Sequence, residues 1–81
     1  MGQTHRRKPK RLAAKLRAIR TKLGVSQPEM AKLLKLEVAY TVVSGYERGK
    51  QEPDLIILLR YAKLAGVSTD ILIDDKLSLP K

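Results

Sequence analysis

The chain has 81 residues, no cysteine, a single histidine and a formal net charge of +9. That length accommodates one domain, and a domain so small buries only a modest fraction of its surface, with no disulfide to staple it. The longest apolar run, Leu55 to Leu59, is far shorter than the ~20 residues that cross a bilayer. The basic start also runs into an amphipathic pattern rather than the apolar block of a signal peptide.

Residues 1–10 lack apolar periodicity and are read as a flexible basic arm. Up to residue 22 the chain carries Arg6, Arg7, Lys8, Lys10, Arg11, Lys15, Arg17, Arg20 and Lys22 and no acid, which accounts for the whole net charge. Beyond residue 22, eight basic and eight acidic residues cancel. A neutral body with a basic leading end favours a polyanion: DNA, RNA or an anionic membrane surface. A solvated tail that only aids solubility is the competing reading.

From Arg11 onward, Leu12, Leu16, Ile19 and Leu23 recur at helical spacing, and Gly24 is expected to end that first helix. "SQPE" at 26–29 is a capping box, with Ser26 capping the backbone and Glu29 reaching back. Met30, Ala31, Leu33 and Leu34 form the apolar stripe of the short second helix. The stretch "AYTVVSGYER" at 39–48 is poor helix material by propensity, yet the chain offers no strand to pair with it. Wound as a helix, it puts Ala39, Val42, Val43 and Tyr46 on a packing face. Tyr40, Thr41, Ser44, Gly45 and Arg48 then fall on a free one. "GKQEPD" is a turn with Asp54 as the next cap, after which Leu55, Leu58, Leu59 and Ala62 are expected in the core and Gly66 at the helix end. Ser68 caps a last short helix, "TDILI", the tail "DDKLSLPK" is expected to be loosely ordered, and residues 76–81 are read as a short tail outside the domain. The expected fold is all-α, a compact five-helix bundle over 11–75.

A short helix, a tight connection and a helix with an exposed polar face make a helix-turn-helix. With "KLRAIRTKLGVSQPEMAKLL", "VVSGYERGKQEPDL" and "LLRYAKLAGVSTDILI" in this order, the chain resembles the phage-repressor/Cro-like (XRE-type) family over residues 11–74. The resemblance implies a cytoplasmic, nucleoid-associated transcriptional regulator, in the first instance a repressor. Its expected partner is double-stranded DNA, bound as a homodimer with the third helix in the major groove. It assigns base reading to Tyr40, Thr41, Ser44 and Gly45, and phosphate contacts to Gln27, Arg48 and Lys50. It also assigns a partly buried ion pair to Arg20 and Glu47. Arg6, Arg7, Lys8, Lys10 and Arg11 are further phosphate candidates. If roughly six phosphates were neutralised, log affinity would fall with log salt at a slope near −5.

Two departures from the family pattern stand out. The connection from Leu34 to Tyr46 is about two residues longer than usual and reads "KLEV" where a glycine is common, so the second helix runs on or the connection bulges. The reading face also holds no Gln, Asn or Arg, the side chains best able to identify adenine or guanine. DNA shape and the arm are then expected to add specificity.

Catalysis has little support. His5 is the only histidine and lies in the arm, and there is no nucleophile–base pair or zinc spacing. No cofactor, metal or membrane partner is expected. The alternative function is a protein-interaction module on the same fold, an antitoxin or co-regulator partner. Ile71, Ile73, Leu77 and Leu79 would then offer a surface to a toxin or to a second copy.

Overall fold

Helix-ending turns divide the chain. The computed structural model describes residues 9–80. It contains α1 (Leu12–Leu23), α2 (Gln27–Leu33), α3 (Thr41–Glu47), α4 (Leu55–Ala65) and α5 (Thr69–Ile73), with no strand among the described residues. Four of the five helices end in one backbone pattern, in which an amide two or three residues past the end reaches back to a carbonyl five residues earlier. The bonds are Val25 to Arg20, Leu36 to Ala31, Lys50 to Gly45 and Val67 to Ala62. The turn needs a left-handed residue. Gly24, Gly49 and Gly66 supply it for three helices, and Lys35, at φ 57°, supplies it for α2. Thus α2 does not run on. Its terminating turn is retained, with a lysine in the conformation that glycine adopts without strain. Arg60 helps to hold it there, its Nη1 donating to the carbonyl of Leu34 at 2.8 Å.

The starts follow the sequence in part. Ser26 and Glu29 form the reciprocal capping box of α2, and the Asp54 carboxylate accepts from the Ile57 amide at 2.9 Å. Ser68 makes no side-chain cap hydrogen bond. For α1 the cap comes from far away: the Asp75 carboxylate accepts the amides of Lys10 and Arg11 at 2.9 and 3.0 Å. α1 has no acid in its first turn, so this carboxylate supplies the negative charge that a helix N-terminus favours.

The core joins Leu12, Leu16 and Ile19 with Met30, Ala31 and Leu34, and adds Val43 and Tyr46, then Ile57, Leu58, Tyr61 and Ala62, then Leu72. Packing decides the case of "YTVV". Val43 is fully buried and Val42 lies against the core, so burial outweighs the weak helix propensity of the segment. The helix starts later than its sequence suggests. Ala39 is exposed and lies ahead of it, and the Val42 amide donates to Ala39 in a tightened first turn.

Two further expectations are corrected. α4 buries Ile57, Leu58, Tyr61 and Ala62, while Leu55 and Leu59 are exposed. The tail is bound rather than loose. Arg11 donates to the carbonyl of Asp75 at 2.9 Å and to Ser78 Oγ at 3.1 Å, and Leu79 packs on the core.

Candidate nucleic-acid interface

Besides its core packing, α3 is tied to α1 by an ion pair. Arg20 Nε donates to Glu47 Oε2 at 2.6 Å and Nη2 donates to Oε1 at 3.0 Å, a two-pronged contact. Glu47 is 4% exposed and Arg20 19%. The third donor of Arg20, Nη1, reaches the Val25 carbonyl at 3.0 Å, so one guanidinium ties α1 to α3 and to the turn before α2. The Glu47 bond raises the pKa of Arg20 further above its ordinary value, against the opposing effect of burial. Gln27, at the start of α2, donates from Nε2 to Glu47 Oε1 at 3.4 Å. Its amide therefore braces α3.

On the outward side of α3, Tyr40 is 49% exposed, Thr41 is exposed and Ser44 is half-buried. Gly45 is not on a free face: it is buried, and the side chain of Gln51 lies over it. Past the end of the helix, Arg48 and Lys50 are exposed, and neither cationic group has a hydrogen bond or ion pair among the described residues.

The basic leading end divides into structural and free charges. Arg11 is committed to the tail. Lys15 is 4% exposed, and its Nζ donates to the carbonyls of Ile71 and Asp74 at 2.7 and 2.9 Å, at the end of α5. Burial lowers the pKa of Lys15, with Arg11 adding to the effect. Lys10, Arg17, Lys22 and Arg48 remain around a shallow concavity on the outer side of α1. Arg6, Arg7 and Lys8 lie outside the described residues. Pro9 and Lys10 border a small cleft that also includes Tyr46, Gly49 and Gln51, so the arm joins the body beside the end of α3.

Among the described residues, no cluster of three or more His, Cys, Asp or Glu side chains could hold a metal ion, and no helix is long and apolar enough to cross a membrane. Periodicity along α3 gives no sign of Gln51, whose side chain lies over Gly45 from the following turn. The available signal was Gly45, since a glycine inside a helix costs stability and often marks a close approach.

The geometry agrees with known proteins. A helix-turn-helix family model matches residues 16–72. The chain is 39% identical over 62 residues to the HTH-type transcriptional regulator ImmR of Bacillus subtilis, covering 76% of this chain and 47% of that protein. It is 41% identical over 59 residues to the SPbeta prophage-derived HTH-type transcriptional regulator YonR of the same organism, covering 73% and 53%. The chain thus spans about half the length of the curated relatives it matches. Among solved structures it is similar to the P22 c2 repressor in complex with a synthetic operator, with a TM-score of 0.69 and 30% identity, covering 79% of this chain and 94% of that one. A family match across most of the chain, with the same fold, establishes that the chain belongs to the phage-repressor-like (XRE-type) helix-turn-helix family.

Proposed function

We propose that this chain binds double-stranded DNA sequence-specifically as a transcriptional repressor at the nucleoid, with α3 in the major groove. The observation that carries the reading is the braced α2–α3 pair: Tyr40 and Thr41 are exposed and Ser44 is half-buried, with Arg48 and Lys50, unpaired among the described residues, just beyond. Thr41 and Ser44 hydrogen-bond base edges, and Tyr40 offers an aromatic surface to a thymine methyl. Arg48, Lys50 and the arm charges Arg6, Arg7, Lys8 and Lys10 serve the phosphates, which fix register and make affinity salt-dependent. Similarity to an operator-bound repressor supports this reading.

The chain acts as a homodimer on paired half-sites. Support comes from α4, where Leu55, Ile56 and Leu59 are 79%, 57% and 40% exposed on one side of the helix. Ile73 and Leu77, at 43% and 37%, add apolar surface near the tail.

The test is selection of bound duplexes from a randomised pool near physiological salt, comparing the intact chain with a Thr41→Ala, Ser44→Ala variant. A two-fold symmetric motif that blurs in the variant is expected. Salt-sensitive binding without any enriched motif would refute base reading by α3. A Leu55→Glu variant that still selects the symmetric motif would refute the α4 dimer.

A further inference from the structure

The reading face of α3 lacks a side chain able to make two hydrogen bonds to one base, and its row Thr41–Gly45 ends in a glycine. The φ of Gly45 is not positive, so the backbone conformation does not require glycine there. Space does. A Cβ built on Gly45 would meet the Gln51 side chain, with Cδ at 3.3 Å, Cγ at 3.4 Å and Oε1 at 3.5 Å. Gln51 therefore lies in the space that a residue-45 side chain would enter on leaving the helix.

It is also anchored. The amides of Lys50 and Gln51 both donate to the Gly45 carbonyl, at 2.9 and 3.3 Å, so the turn folds back on the last turn of α3. Its side chain is exposed and makes no hydrogen bond among the described residues. Among the described residues its amide donors and carbonyl oxygen are therefore unpaired, and its backbone fixes the start of the side chain over Gly45, one helical turn along α3 from the exposed Thr41.

Resting on the DNA-binding reading above, we propose that Gln51 is the principal base reader of this protein. It is delivered from the turn through the gap at Gly45, and it recognises adenine. Its Nε2 donates to adenine N7 and its Oε1 accepts from the N6 amino group, the two-point pairing that glutamine makes in the major groove. The arrangement restores the carboxamide missing from α3, and Gly45 is the residue that makes room for it.

Duplex selection is run on the full chain and on Gln51→Ala, Gln51→Glu and Gly45→Ala, with thermal unfolding recorded for each. Gln51→Ala is expected to lose the preference for adenine at one position per half-site, with a loss on the order of 5- to 150-fold in affinity for the selected site. The salt slope stays unchanged, because no phosphate contact is removed. Gln51→Glu is expected to move that preference towards cytosine, whose amino group a carboxylate accepts; a side chain that merely covers Gly45 would not change the base chosen. Gly45→Ala, which displaces the carboxamide, weakens preference at the same position only. A motif and affinity unaltered in Gln51→Ala would overturn the assignment while leaving DNA reading intact. No motif from the intact chain would overturn both.

Discussion

Removal of the Glu47 carboxylate is the most direct test of what holds α3 in place. In Glu47→Ala, Arg20 loses both of its side-chain acceptors and keeps only the Val25 carbonyl, while Gln27 loses its partner. With 19% exposure the stranded guanidinium is only partly rehydrated. Breaking one side of a buried pair costs about 3–5 kcal/mol, and the retained carbonyl and partial exposure put the expected loss near the lower end, about 3 kcal/mol. A domain of this length has roughly 4–12 kcal/mol in total, so the variant gives up a quarter or more of its stability. Its melting temperature should fall by roughly 12–24 °C. Urea unfolding followed by circular dichroism measures the loss, and repeating it at high salt should change the answer little, because a buried pair is poorly screened. The double variant Arg20→Met, Glu47→Met should be less destabilised than Glu47→Ala, because it strands no charge. A loss below about 1 kcal/mol, erased by salt, would mean that the pair behaves like an exposed one and that α3 is held by packing alone.

Three further outcomes are expected. Tyr61 is fully buried, its hydroxyl has no hydrogen-bond partner among the described residues, and burial raises its pKa well above the ordinary phenol value. Tyr61→Phe should therefore be neutral or stabilising by about 1 kcal/mol in urea unfolding, and a comparable loss would reveal a partner for the hydroxyl. Lys35→Gly removes a left-handed lysine worth about 1–2 kcal/mol of strain and returns about 0.4–1 kcal/mol to unfolded-chain entropy; a net gain in melting temperature is expected, and a decrease would refute the strain. The Lys10 and Arg11 amides hold the Asp75 carboxyl below its ordinary pKa. Its clasp contributes stability above the ordinary aspartate range and loses it as pH falls through the lower folded value. Amide NMR shifts of Lys10 and Arg11 should titrate together in that acid range and stop doing so in Asp75→Asn.

The local chemistry of helix ends was legible in the chain. Glycines at 24 and 66, the Ser26–Glu29 box and the Asp54 cap each act within a few residues of themselves, and each is where the sequence puts it. The face of α4 was not legible, because "LIILL" is apolar on every side and periodicity cannot choose between its faces. Packing chose Ile57 and Leu58, with Tyr61 a turn later, and left Leu55 outside. Charge was misleading for a similar reason. Arg11 and Lys15 read as free cations, yet their partners are distant backbone carbonyls and, for Arg11, also the Ser78 hydroxyl, 56 to 67 residues away and without a charge to signal them.

The same reasoning separates the two halves of the site. The brace, Arg20 with Glu47, was expected from the family resemblance, and the structure pairs the two. The reading face does not announce itself, because groove chemistry depends on where a side chain ends and not on which element carries it. Thr41 and Ser44 lie on α3 and follow its helical period, whereas Gln51 is six residues past Gly45 and comes to lie over it only because the chain turns back onto the Gly45 carbonyl. A glycine in a weakly helical segment is costly on its own. Its cost is explained once another side chain fills the vacated space, so a helical glycine on an expected recognition face directs attention to the turn that follows it.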